Sequence, residues 1–159
     1  MNSILNILIG IPQDNINLMF ETFLKTEDKH IVCGGWTSYQ LSNYLKKDIK
    51  VSLNYYDNDI PPIGEIEGID LVTEGTITLK KVSTHLKDYY YNKTINTINK
   101  KDGASLLFNE MINSIKINFY VGKSINIYHK DILPNKLEII EEIISLLDKL
   151  NKSFEIKYY

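Results

Sequence analysis

Ile4-Leu-Asn-Ile-Leu-Ile-Gly-Ile-Pro12 is a run of β-branched and apolar residues that breaks at a glycine and a proline. It predicts a buried strand followed by a turn. Asp14 or Asn15 can then cap a helix whose apolar face is Ile16, Met19, Phe20, Phe23 and Leu24. The same order of strand, glycine and helix recurs along the chain. Ile31-Val-Cys33 ends at Gly34-Gly35 and leads into a helix with Thr37 or Ser38 as cap and Leu41, Tyr44 and Leu45 as its buried stripe. Ile69-Asp-Leu-Val72 ends at Thr73-Glu-Gly75, and Leu79, Val82 and Leu86 then mark a helix that runs toward Tyr89-Tyr90-Tyr91. Residues 115–121 form the longest strand candidate and end at Gly122.

The intervening segments read as follows. Residues 49–53 alternate, which predicts a half-exposed strand at a sheet edge, and residues 55–64 read as a loop around Pro61-Pro62. Residues 92–101 are polar and weakly patterned, a surface connection. A helix over residues 103–113 is carried by Leu107, Met111 and Ile112. The last helix has Asn135 as cap, Glu138 in capping-box position, and Leu137, Ile140, Ile144 and Leu147 at helical spacing. Phe154-Glu-Ile-Lys-Tyr158 closes as a strand. Strands alternating with helices predict one α/β domain over residues 1–159, three-layered, with a mostly parallel, Rossmann-like sheet of about six strands.

Composition narrows the function classes. The chain has 159 residues, 43% hydrophobic and 24% charged, a globular mix that fits one domain. Net charge is −2, and all 18 cationic side chains are lysine. A nucleic-acid binder would show a basic face and arginine forks, so that class is set aside. The lone Cys33 excludes an internal disulfide framework and a Cys-rich zinc site. It reads as a small buried hydrophobe, with nucleophile as the alternative. No apolar run has the length of a membrane span and no leader pattern opens the chain, so a cytoplasmic protein with no membrane partner is expected. No metal-ligand spacing is found, and no cofactor is expected.

Four strands thus end in glycine, at Gly10, Gly34-Gly35, Gly75 and Gly122. Ligands of open parallel sheets bind beyond the carboxyl ends of the strands, where glycine lets a ligand approach the backbone. Two of these turns open helices, whose unpaired amides and dipole favour an anion. The candidate ligand residues are Gly34, Gly35, Trp36, Thr37, Ser38, Thr73, Glu74, Gly75, Thr78, Gly122, Asn126 and His129. Glycine turns with Thr or Ser caps are also the ordinary way out of a strand. Glu74 is the candidate general base or hydroxyl acceptor, with His129 as a second catalytic candidate. The alternatives are a charge that complements the helix dipole and a loop that hydrogen-bonds to itself. His30 and His85 read as structural. The tyrosine triplet reads as a packed helix end.

Three strings carry a resemblance. Ile31-Val-Cys-Gly-Gly-Trp-Thr-Ser38, Pro61-Pro-Ile-Gly-Glu-Ile-Glu-Gly-Ile-Asp-Leu-Val-Thr-Glu-Gly75 with Thr78-Leu79, and Val121-Gly122 with Asn126, His129 and Leu133-Pro134 resemble the C-terminal accessory domain of clostridial-type SpoIIE-family serine/threonine phosphatases. The likeness runs from about Leu8 to the end. It implies a domain beside a PP2C-like catalytic domain that is not in this chain, so phosphatase chemistry is not expected here. Trp36, Ser38 and Ile127-Tyr128 depart from the family pattern. The expected function is a regulatory or sensory domain that binds a small anionic or phosphorylated ligand, with the PP2C-like phosphatase as partner. The alternatives are an enzyme acting on a phosphorylated small molecule through Glu74 and His129, and a protein-interaction module with a vestigial pocket, which Trp36 would favour.

Overall fold

The computed structural model describes residues 3–124 and 134–159. These form β1 (Ile4–Ile9), α1 (Ile16–Leu24), β2 (Lys29–Cys33), α2 (Gly35–Leu45), β3 (Lys50–Val51), β4 (Gly64–Glu65), β5 (Leu71–Thr73), α3 (Thr76–Tyr90), α4 (Gly103–Asn113), β6 (Lys116–Val121), α5 (Pro134–Lys149) and β7 (Phe154–Tyr158). The strands lie in one sheet of order β3-β4-β5-β2-β1-β6-β7. From β5 to β7 every pairing is parallel, and the short β3 and β4 join antiparallel at one edge. Sequence reading gives about six strands; β4 is the seventh, two residues long and too short to show a period.

The two faces of the sheet are covered unequally. Leu5, Ile7, Ile9, Ile31, Ile117, Phe119 and Val121 pack under α3, α4 and α5. On the other face Leu8, Val32 and Tyr120 meet Met19, Phe20 and Phe23 of α1 and Leu41 of α2. This makes three layers over the centre of the sheet. On this side Tyr120 of β6 meets Phe23 of α1, and the other residues of β6 and β7 are polar: Lys116 and Asn118 on β6, Glu155 and Lys157 on β7. At the centre Asn6 is fully buried, and its amide donates to Thr26 Oγ1 (3.2 Å) and the Lys29 carbonyl (3.3 Å) while accepting from Asn118 Nδ2 (3.2 Å). Burial is possible because each of these polar atoms keeps a partner.

Several helix ends differ from the sequence reading. Asn15 precedes α1 in the left-handed region (φ 58°) and makes no side-chain cap bond. Helix α2 begins two residues before the expected caps, because Gly34 takes φ 122° and starts the turn itself, leaving Thr37 and Ser38 inside the first turn. Tyr44 is half-exposed and meets Phe20 edge-on at 5.5 Å, so the stripe of α2 is carried by Leu41. Helix α5 starts at Pro134, ahead of the expected Asn135 cap. It buries Ile139, Ile140, Ile143, Leu146 and Leu147, while Leu137 stays exposed. Asp102 caps α4, accepting from the Ser105 amide at 3.0 Å. In the connection before it Thr97 is buried against Asn109 (2.7 Å). No helix of the described residues is long and apolar enough to cross a membrane.

The ends of β1 and β6 are held together by close backbone packing. The Gly122 amide donates to the Ile9 carbonyl at 2.8 Å, and the Ser124 amide to the Ile11 carbonyl at 3.0 Å. A Cβ at Gly122 would fall on the backbone of Ile11. Gly122→Ala is therefore expected to destabilise the chain by about 1–3 kcal/mol, read as a lower urea midpoint with an unchanged m-value.

Candidate functional site

The order of the strands places the change of winding direction between β1 and β6. The chain moves from β1 through β2 to β5, then crosses back to β6 on the other side of β1. The turns after β1, β2 and β5 meet at the carboxyl end of the sheet, the position where open α/β sheets take ligands. The Gly10 amide donates to Thr37 Oγ1 at 3.0 Å, joining the end of β1 to the first turn of α2. The Gly34 amide donates to the Thr73 carbonyl at 3.0 Å, joining the end of β2 to that of β5. Gly75 has φ 132°, and a Cβ there would stand 3.0 Å from the Gly34 Cα. Only glycine fits so close an approach at that angle. The N-termini of α2 and α3 therefore lie side by side.

The hydroxyls of these turns have different fates. Thr37 is buried and its oxygen accepts from Gly10, which leaves its proton for a further acceptor. Ser38 turns back on its own helix and donates to the Gly35 carbonyl at 3.0 Å. Thr78, in the first turn of α3, is fully buried and its hydroxyl has no hydrogen-bond partner. Thr73 Oγ1 is likewise buried; it lies beside the Cys33 thiol and has no oxygen or nitrogen partner. A Cβ at Gly35 would meet nothing within 4 Å, so the start of α2 faces open space. Trp36 is 44% exposed and stacks on Tyr39 one turn later, with ring centroids 5.7 Å apart. The indole lies along the surface of α2.

Glu74 lies in the turn after β5, half-buried, with its charge close enough to Cys33 to raise the thiol's pKa. Asn126 and His129 fall outside the described residues, so their place relative to Glu74 is not part of the geometry described above. Gly122 belongs to the β1–β6 junction. Among the described residues no group of three or more His, Cys, Asp or Glu side chains could hold a metal ion.

Lys136 is a residue that sequence reading passes over. It stands in the first turn of α5, and its ammonium donates to the Gly122 carbonyl at 3.3 Å. A Cβ at Gly10 would collide with its Nζ. Burial lowers its pKa from the ordinary 10.5.

His30 packs edge-on against Phe23 at 5.0 Å at the opposite end of β2, and His85 on α3 lies with its ring centroid 5.5 Å from that of Phe108 on α4. Burial, with Lys81 next, lowers the His85 pKa. Tyr89 packs on Phe108 (5.9 Å) and Tyr90 under the Lys149 ammonium (5.8 Å). No family model, curated protein or solved structure matches this chain.

Cys33 is fully enclosed. Burial pushes its thiol up from 9.0 to about 12; the Thr73 hydroxyl offsets part of the rise, and the Glu74 charge adds to it. The nucleophile is the thiolate, so this side chain is inert near neutral pH. Native chain is expected to resist a thiol reagent at pH 8 that labels urea-unfolded chain at once. Between pH 9.0 and about 12 the unfolded thiol ionises while the folded one keeps its proton. The unfolded state then binds fewer protons, and stability falls through that window as pH rises. Cys33→Ser should flatten that alkaline fall in a pH series of urea midpoints.

Proposed function

We propose that this chain is a regulatory or sensory domain that binds a small anionic ligand where the N-termini of α2 and α3 meet. The observation that carries the reading is the buried, unpartnered hydroxyl of Thr78 in the first turn of α3, beside the contact of Gly34 and Gly75. A buried hydroxyl without a partner costs about 1–3 kcal/mol, which a bound acceptor would recover. The exposed amides at two helix starts are donors for the same acceptor. The Thr37 proton is one more donor, and Lys136 supplies a cation at the neighbouring strand ends.

Glu74 restricts the ligand class. A carboxylate in the turn after β5 repels a bare anion, so the fitting ligand carries polar groups beside its anionic one. A phosphorylated polyol has that chemistry. The exposure of Trp36 and its stack on Tyr39 remove the reason for a pocket filled by the indole. The partner proposed is a SpoIIE-type, PP2C-like phosphatase, on the resemblance of the string from Pro61 to Gly75; part of that string forms β4, β5 and the Gly75 turn. Regulation would work by the ligand favouring one conformation of that pair.

The test follows Trp36 emission while inorganic phosphate, phosphorylated polyols and neutral polyols are titrated. A saturable change with a phosphorylated polyol, absent with the neutral one, is expected. Gly35→Val, which puts a side chain into the open space before α2, should abolish it. Lys136→Met should weaken affinity roughly tenfold, the loss of one charge-assisted contact, without lowering the urea midpoint. No change with any anion, in a chain whose fold is intact by circular dichroism, would sink the reading.

A further inference from the structure

The two edges of the sheet are built differently. Strand β3 at one edge has only two residues, the kind of short edge that discourages pairing. Strand β7 at the other has five, Phe154-Glu-Ile-Lys-Tyr158, and pairs with β6 along its whole length. The Ser153 carbonyl accepts from Ile117, and the Tyr159 amide and carbonyl bond Val121 and Lys123. In a parallel ladder alternate residues bond the same neighbour. Residues 153, 155, 157 and 159 therefore turn to β6, and the amides and carbonyls of Phe154, Ile156 and Tyr158 point out of the sheet.

This edge is complementary to itself. We infer that the chain forms a two-fold symmetric dimer by antiparallel pairing of β7 with β7 of a second copy, centred on Ile156. In that register Ile156 faces its own copy and Phe154 faces Tyr158, and each of these facing pairs exchanges two backbone hydrogen bonds. Between them fall the closely spaced positions, Cα atoms about 4.5 Å apart, and there Glu155 of one chain faces Lys157 of the other, twice. A parallel pairing or a shift by one residue would forfeit this match of opposite charges. Glu155 already bonds Lys116 of β6 at 2.9 Å, and this bond, with the lysine's charge, holds its pKa below the ordinary carboxylate value. The dimer would extend the pair into a ladder of Lys116, Glu155 and the second copy's Lys157.

Side chains on the other face agree. Phe154 and Ile156 pack against the core yet remain partly exposed, and a second strand would cover them. An isologous contact of this kind closes at two chains and cannot grow into a fibre.

The experiment is sedimentation equilibrium of the full chain at micromolar concentration, with circular dichroism to check the fold. Twice the mass of one chain is expected. Ile156→Pro removes an outward amide that the chain's own ladder does not use, as edge strands tolerate, and should leave a monomer. Lys157→Glu sets like charges opposite each other without touching the Lys116–Glu155 pair and should also leave a folded monomer. Adding Glu155→Lys and Lys116→Glu to Lys157→Glu exchanges every charge of the ladder, the Lys116–Glu155 pair included, and should restore the dimer. A wild-type monomer would overturn the inference. So would a dimer that survives Lys157→Glu, or a charge exchange that stays monomeric. None of these readings involves the turns after β2 and β5, so the ligand proposal stands or falls apart from them.

Discussion

When β1 ends at Ile9 the next amide, that of Gly10, bonds the Thr37 hydroxyl across 3.0 Å. The architecture of the carboxyl end of the sheet follows from that contact. For Thr37 to reach Gly10, α2 must begin directly beneath the end of β2, which requires Gly34 at φ 122°. Gly34 in turn gives its amide to Thr73, which fixes the end of β5 and leaves Gly75 pressed on the Gly34 backbone. Three strands are thus registered by one side-chain bond, one backbone bond and one contact that permits no Cβ. The same contacts set two helix N-termini next to each other. Their partial positive charges repel, and a negative charge between them lowers the energy.

Much of this was legible from the sequence because the signals were local. The runs from Ile4, Ile31 and residue 115 are rich in apolar and β-branched residues, as strands of a covered parallel sheet are, and each stops at a glycine. Helix ends were less legible, since caps are decided by backbone angles. Thr37 and Ser38 look like caps by composition, but Gly34 reaches a φ that threonine does not, so the helix starts before them. Strand β4 was illegible because two residues carry no period. The stripe of α5 was misplaced in part: Leu137 has the spacing of a core residue, yet the core is met by Ile139, Ile143 and Leu146 instead.

The site was legible as a set of turns and illegible as a set of roles. Sequence alone can place hydroxyls at Thr37, Ser38, Thr73 and Thr78, but not say which are already bonded. Thr37 holds β1, Ser38 closes on its own helix, and Thr78 is left with nothing to bond. Their distinction depends on contacts 27 or more residues away in one case and on a single turn of helix in another. Lys136 was missed for a related reason. Nothing in Pro134-Asn-Lys136 marks it, and its meaning comes from the carbonyl of Gly122 on a neighbouring strand.

Lys136 also bears on why the site would be kept. Lysine is the only cationic residue type in the chain, and lysine side chains ordinarily keep the ammonium in water while the stem packs. Here burial lowers the pKa, and the first turn of a helix adds an unfavourable dipole. One carbonyl bond at 3.3 Å is a weak return for both costs, and a methionine of similar length would fill the same space without either. Under the function proposed above, that charge would serve an anion held beyond the strand ends, with the helix starts supplying the remaining donors.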